Sequence, residues 1–345
     1  MTAYRRIVLA ERPKGKPTED NFRLEEGKLP APGEGQIAVR TIWLSLDPYM
    51  RGRMDDAKSY AEPVAVGGTM EGAGVGEVIA SRHPGFVPGD VVVGRTGWAS
   101  HALLEGASAR KVDPALAPVS TALGVLGMPG HTAWVGLNRI ARARPGETIV
   151  VSAATGAVGS VVGQLARLKG LRVVGVAGGA EKCRYAEQEL GFDACLDHRA
   201  ADARALAEGI RQAAPDGVDI YYENVGGKTL EAVLPNMNTF GRIPLCGMIA
   251  WYSGQGVADA MRVPALWRTI LVRRLRVQGF IIFDHDDSFG AFLEEVAPLV
   301  RERRIRYRES VAEGLENAPR AFLKMLEGGN FGKQLVRVGP DPAGT

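Results

Sequence analysis

Cysteine is scarce. Cys183, Cys195 and Cys246 are the only three in 345 residues, and no two stand in a C-x-x-C pair. That pattern excludes a disulfide framework and a structural zinc lobe, and it reads as buried free thiols. Long apolar runs are also missing: no stretch approaches the roughly 18 residues of a membrane-spanning helix. The opening "MTAYRRIVLAERPKGKP" turns charged and proline-rich too early for a signal-peptide core, so the chain is read as cytoplasmic. An excess of one charge is absent too. Forty-two basic residues face 39 acidic ones, a formal charge of +3 with no long block of one sign, which leaves no case for a nucleic-acid or membrane partner. The five histidines, His83, His101, His131, His198 and His285, include no two at the spacing of helical metal ligands.

What is present is enough for a large core. With 46% apolar residues, a chain of this length is expected to form two domains. Up to about residue 125 short β-like runs ("QIAVRTIWLSL", "GAGVGEVIAS", "GDVVVGRTGWASHALL") are broken by glycine and proline, which predicts a mostly β domain. From about residue 128 strand and helix patterns alternate. Strands are expected at "ETIVVSA", "RVVGVAG", "ACLDH", "VDIYYEN", "GRIPLCG" and "LRVQGFII", with helices between most of them. This is the signature of a parallel sheet with crossover helices. The tail "GLENAPRAFLKMLEGGNFGKQLVRV" reads as helix, glycine turn and strand, and is expected to return to the first domain. The basic run 301–309 reads as a solvated helix end leading into a strand.

The most informative stretch is "IVVSAATGAVGSVVGQLARLKGLRVVGVAGG", residues 149–179. Ala154-Thr155-Gly156-Ala157-Val158-Gly159 stands where G-x-G-x-x-G stands in dinucleotide-binding folds, after an apolar strand and before a helix. Gly156 would let the backbone approach a pyrophosphate, Gly159 would let helix and strand pack, and the helix N-terminus offers free N–H groups. The second strand ends Val176-Ala177-Gly178-Gly179, where an NAD-binding chain usually carries an acid for the ribose hydroxyls. Small residues leave room for a 2′-phosphate, and Lys182 can meet it with a charge-assisted bond. The expected cofactor is therefore NADP(H), with Glu181 turned to solvent.

Six stretches, "LSLDPYMRGRM", "GMPGHTAWVGL", "SAATGAVGSVVGQLARLKG", "YYENVGG", "LCGMIAWY" and "GNFGKQLV", together resemble the zinc-independent medium-chain dehydrogenase/reductases that reduce carbon–carbon double bonds. That family includes prostaglandin reductases, plant alkenal double-bond reductases and bacterial curcumin reductases, and "SYAEPVAVGGTMEG" and "VVVGRTGWASH" look closest to the last. The resemblance runs from about residue 5 to 338. It implies an α/β fold in which a Rossmann domain, a doubly wound parallel sheet over residues 128–305, is inserted into a GroES-like, mostly β domain made of 1–127 and 306–345. It also implies a homodimer. Carried onto this chain, the pyrophosphate contacts fall on Gly156, Ala157, Val158 and Gly159, and the 2′-phosphate contact on Lys182. Asn224, the stretch from Cys246 to Tyr252 with Gly247 and Ile249, Phe280, Ile281, Ile282 and Asn330 would line the rest. His198 stands where the family often has tyrosine near the phosphate, and its charged form would favour an anion.

Zinc-dependent relatives carry a His-Glu pair where this chain reads Met70-Glu71-Gly72, so no metal site is expected. Conjugate reduction needs a hydride at the β-carbon of an enone and donors for the charge that grows on its carbonyl oxygen. Tyr252, after the fifth strand of the Rossmann sheet, is expected to be the main donor and to contact the cofactor. Tyr60, on a glycine- and proline-flanked loop, is expected as a second donor or substrate clamp on the opposite wall. A phenol suits both roles because it donates while neutral. Tyr49, Met70, Trp98, Met128 and Trp251 are expected to shape an apolar pocket for a small hydrophobic enone or enal. The expected activity is thus an NADPH-dependent enone or alkenal reductase. Two alternatives are quinone reduction on the same site and an NADPH-binding protein without turnover.

Overall fold

The computed structural model describes residues 2–258 and 260–341; Met1, Asp259 and residues 342–345 lie outside the described residues, the outermost ends of the expected first domain among them. The chain divides into two compact units, Met1–Gly127 with Glu309–Thr345, and Met128–Arg308. In chain order the first contains β1 (Thr2–Leu9), β2 (Phe22–Leu29), β3 (Gln36–Ser45), β4 (Gly74–Ser81), β5 (Val91–Gly94), β6 (His101–Glu105) and β7 (Arg110–Lys111).

The second unit begins with α1 (Met128–Val135), β8 (Thr148–Ser152), α2 (Gly159–Leu168), β9 (Arg172–Ala177), α3 (Ala180–Gln188), β10 (Ala194–Asp197) and α4 (Ala203–Ala213). It continues with β11 (Val218–Tyr222), α5 (Gly227–Val233), β12 (Met237–Leu245), α6 (Val263–Arg273), β13 (Arg276–Gly279) and α7 (Phe289–Arg301). β14 (Glu309–Glu313), α8 (Ala318–Leu326) and β15 (Lys333–Arg337) then rejoin the first unit.

In the first unit β1 and β2 form a two-stranded antiparallel ladder. A seven-stranded sheet runs in the order β14-β15-β3-β4-β5-β7, with β6 also paired to β3. Its core gathers Ile7, Leu9, Leu44, Met50, Met70, Trp98 and Phe322. The returning segment is tied in by charge as well as by pairing. Lys333, 3% exposed, donates to the Asp47 carboxylate at 2.6 Å and to the Leu46 carbonyl at 2.8 Å. Breaking such a buried pair leaves a charge without compensation, which gives the lysine of "GKQ" and the aspartate of "LDP" a joint structural purpose.

The second unit is built on a six-stranded sheet in the order β10-β9-β8-β11-β12-β13, and every neighbouring pair is parallel. Numbered within the unit this is 3-2-1-4-5-6, the doubly wound order with its switch point between β8 and β11. All five residues of β8 are buried, as expected where helices cover both faces of a parallel sheet. α2 packs through Val161, Val162, Leu165 and Ala166; each of the larger three contributes about 1.5–3 kcal/mol of burial.

Gly163 of α2 faces the Phe192 ring so closely that a β-carbon would lie 1.9 Å from it. The run after α7 stays with this unit up to Arg308, a little beyond the boundary at 305 read from the sequence. The reason is local: Gln164 donates to the Arg306 carbonyl at 2.8 Å and accepts from its N–H at 2.7 Å.

Candidate active site

The turn after β8 has the shape that a pyrophosphate cradle needs. Gly159 begins α2 with no room for a side chain: a β-carbon there would sit 2.3 Å from the Ala153 carbonyl oxygen and 2.9 Å from its carbon. Both are backbone atoms and cannot step aside. Gly156 donates to the same carbonyl at 2.8 Å. Ala153 adopts φ +49, a left-handed conformation that costs a residue with a β-carbon about 1–2 kcal/mol. Gly156, Ala157 and Val158 are partly exposed, so the face of the turn is open where a ligand would meet the helix N-terminus.

At the tip of β9 two basic side chains crowd Gly178, and a third stands near one of them. A β-carbon at Gly178 would meet His198 Nε2 at 2.9 Å and Arg199 Nε at 3.0 Å. Lys182, on the first turn of α3, has its pKa lowered by burial and by the nearby Arg199. Such mutual repulsion among cations is what an anion would relieve.

Arg199 is a residue that sequence reasoning missed, since nothing in the run after β10 marks it. Glu181 is exposed. The acid closest to the tip, Asp197, accepts the Gly179 and Arg199 backbone N–H groups, each at 2.8 Å. Burial, then Lys228 and Arg199, push the His198 pKa down, so the charged form that would favour an anion is disfavoured in the ligand-free protein.

The sheet's switch point is stitched by polar groups. Ser152, the last residue of β8, donates to the Tyr222 carbonyl at 3.1 Å and to Glu223 Oε1 at 3.2 Å. Its hydroxyl accepts from the Asn224 N–H at 2.8 Å, and Asn224 Nδ2 donates to the Ser152 carbonyl at 2.8 Å. Beside this lies the segment 246–252. Burial pushes the Cys246 thiol up to about 12, so it is a neutral packing group. Ile249 and Ala250 donate to the carbonyls of Asn224 and Val225 at 3.3 and 3.0 Å.

The Tyr252 hydroxyl accepts from the Met248 N–H at 3.2 Å, and a β-carbon at Gly247 would lie 3.0 Å from it. A side chain at 247 would crowd the phenol oxygen and shift it by a few tenths of an ångström. Trp251 packs on Gly226, whose β-carbon would come within 2.7 Å of the indole. Met128, Phe280 and Ile282 meet in one apolar cluster with Val135 and Ile140; Ile281 is half-buried next to them in sequence.

In the first unit, Arg53 brings two of the expected tyrosines together. Its guanidinium lies 4.3 Å from the Tyr60 ring centre and 5.7 Å from that of Tyr49, within reach of cation–π attraction. It also donates to Glu71 at 2.8 Å and to the Ala61 carbonyl at 3.1 Å. Burial, with Asp47 and Glu71 adding to it, drives the Tyr49 phenol's pKa well up, so it stays a neutral donor. Asn330 donates to the Gly332 carbonyl at 2.7 Å and belongs to this unit.

Two pocket assignments are corrected. Trp98 and Met70 are both fully buried in the core of the first unit, with Trp98 stacked on Phe22 at 5.5 Å and edge-on to Phe322 at 5.5 Å. Neither has surface to offer a substrate.

No group of three or more His, Cys, Asp or Glu side chains that could hold a metal comes together among the described residues, and none of the described helices is long and apolar enough to cross a membrane. The glycine cradle, the small strand tip under Lys182, His198 and Arg199, and the open switch point fit a phosphorylated dinucleotide.

Comparison with known proteins covers both units. Residues 5–112 match the family described as N-terminal domain of oxidoreductase, and residues 157–297 the family described as zinc-binding dehydrogenase. The chain is 51% identical over 339 residues to an NADPH-dependent curcumin reductase of Escherichia coli, covering 98% of this chain and 97% of that one. It is 38% identical to an NADP(+)-dependent 2-alkenal reductase of Nicotiana tabacum, covering 97% of each. The crystal structure of CurA in complex with NADPH from Vibrio vulnificus superposes with a TM-score of 0.93 at 47% identity, over 98% of this chain and 100% of that one.

Proposed function

The chain belongs to the zinc-independent medium-chain dehydrogenase/reductases that reduce carbon–carbon double bonds with NADPH, and from that premise we propose how its own residues carry the reaction. It is an NADP-dependent reductase of α,β-unsaturated ketones and aldehydes, placing hydride on the β-carbon and a proton on the enolate. NADPH, when bound, supplies the hydride. The observation that carries the cofactor reading is the tip of β9, where Gly178 lies under His198 and Arg199 with Lys182 beside them.

Gly156, Ala157, Val158 and Gly159 hold the pyrophosphate through the turn and the N-terminus of α2. Lys182, Arg199 and His198 hold the 2′-phosphate, and Asn224, Cys246, Gly247, Ile249, Phe280, Ile281 and Ile282 shape the rest of the cofactor's bed. Tyr252 donates from its hydroxyl to the substrate carbonyl oxygen as negative charge gathers there. Its bond from the Met248 N–H holds the phenol oxygen in place beforehand. In the first unit Tyr60, stacked on Arg53, is assigned as a second donor or substrate clamp, and Tyr49, against the same guanidinium, as a pocket wall.

The test is consumption of NADPH, followed by its near-ultraviolet absorbance, against a panel of enones, enals and a quinone, with NADH as the paired control. Fast NADPH-specific turnover of enones is expected, and Tyr252→Phe is expected to lower kcat about 100-fold. Faster turnover of the quinone would replace the substrate assignment. Tight NADPH binding without any turnover would leave a binding protein.

We further propose that two copies pair through β13. This strand is the edge of its sheet and all four of its residues are exposed. On α6, Val263, Trp267 and Leu271 form an exposed apolar stripe, with Trp267 at 63% and Leu271 at 75%. An open edge beside such a stripe suits self-pairing of two identical surfaces. Three free thiols accord with a reducing, cytoplasmic setting.

A further inference from the structure

Glu223 has so far appeared only as an acceptor from Ser152, yet three further donors of the switch point meet it. It follows β11 directly and is 1% exposed. Four donors converge on one oxygen, Oε1: the Tyr221 hydroxyl at 2.8 Å, the Ser152 hydroxyl at 3.2 Å, and the N–H groups of Val225 at 2.7 Å and Gly226 at 2.9 Å. The carboxyl thereby folds residues 224–226 back over the end of β11.

The same short loop is what the next segment hangs from. The Glu223 carbonyl accepts from Cys246 at 2.9 Å and from Gly247 at 3.1 Å, while the carbonyls of Asn224 and Val225 accept from Ile249 and Ala250. Gly226, held at φ +77, gives the surface on which Trp251 rests. One residue further on stands Tyr252.

We propose that Glu223 is the positioning residue of this enzyme: by fixing the 224–226 loop it sets the 246–252 segment, and through that segment the hydroxyl of Tyr252. This rests on Tyr252 being the donor to the substrate carbonyl. The part Glu223 plays is that of an acceptor and not of a charge, because two of its four partners are backbone N–H groups that any oxygen at the Oε1 position satisfies. Burial drives the carboxyl's pKa up against the pull of those bonds, and a protonated carboxyl still offers Oε1 to them.

The assay compares Glu223→Ala, Glu223→Asp and Glu223→Gln for kcat with an enone, for NADPH Kd by fluorescence quenching, and for melting temperature. Ala, and Asp where the Ala variant fails to fold, are expected to lower kcat at least about tenfold, as a displaced donor does. NADPH Kd is expected to rise by a smaller factor than kcat falls, because the phosphate-binding groups of Gly156–Gly159, Lys182 and Arg199 are untouched while only the 224 and 246–249 part of the cofactor's bed shifts with the loop; a Kd loss as large as the kcat loss would overturn the positioning role. Gln is expected to restore kcat to within about threefold of the parent, since it keeps the acceptor.

In the double variant with Tyr252→Phe, the loss is expected to be no greater than that of the worse single variant. Full kcat in folded Ala and Asp variants, a Gln variant as damaged as Ala, or additive losses in the double variant would each overturn the positioning role. Tyr252→Phe alone at full kcat would instead strike the reading on which it rests, and is seen without any change at Glu223.

Discussion

The choice of NADPH over NADH is assigned to Lys182 and Arg199, and replacing each by alanine tests it. Arg199 Nε lies 3.0 Å from the space over Gly178, and Lys182 is half-buried close enough to Arg199 to feel its charge. A hydrogen bond to a charged group contributes about 1.5–3 kcal/mol. At about 1.4 kcal/mol per factor of ten, each variant should weaken NADPH binding by roughly 10- to 150-fold. NADH lacks the 2′-phosphate, so its Kd should move less than about twofold on the same scale.

The two losses should fall short of additive. Removing one cation relieves the repulsion on the other in the free protein, and neighbours of this kind couple by about 0.5–3 kcal/mol. Titration of both nucleotides into the parent, the two single variants and the double variant gives all eight constants. Added salt should weaken NADPH more than NADH, because part of the difference is screened charge. An equal loss for both nucleotides would refute the assignment and move Lys182 and Arg199 to a structural role.

Gly159→Ala places a β-carbon 2.3 Å from a backbone oxygen. It should cost about 1–3 kcal/mol of stability and weaken NADPH and NADH alike, unlike the Lys182 variant; calorimetry and the same titrations check both. His131 is 1% exposed, bonded to Ser288 Oγ at 2.8 Å, and burial pushes it down to about 4. The native state therefore resists protonation while the unfolded chain takes up a proton near the ordinary value of about 6.5.

Stability linked to His131 should be complete above that value and be lost as pH falls towards 4, by up to about 3 kcal/mol; His131→Leu should flatten this part of the melting profile, and an unchanged slope would count against it. Trp267→Glu with Leu271→Glu should turn a dimer into monomers in analytical ultracentrifugation, and a parent already monomeric would end the pairing proposal.

Much of the second unit can be read directly from the chain. β8 to β13 each overlap a run that the sequence marks as a strand; for β8, buried along its whole length, this is because a parallel strand covered on both faces is written as a short apolar run. The turn at 154–159 is legible for a related reason. Its glycines answer to neighbours within six residues, such as the Ala153 carbonyl against Gly159. The lysine beyond the strand tip follows from the same local logic.

What spacing does not reveal is which charged side chains are buried or what each meets in the fold. Arg199 and Glu223 look like any surface charge until β9, β11 and the 246–252 segment fold around them. Arg53 gains its purpose only when Tyr49, Tyr60 and Glu71 converge on it. Cys183 and Cys195, with no C-x-x-C pairing to announce them, stand with their sulfurs 3.2 Å apart.

Trp98 and Met70 mark the opposite limit, since an apolar side chain reads the same whether it lines a pocket or fills a core. What the sequence determined by itself was periodicity and turns, both properties of neighbours along the chain. The tertiary structure decided which charges are buried, which phenols share a cation and which aromatic rings are sealed. Burial and pairing depend on atoms brought together across the fold, and local spacing does not carry that information.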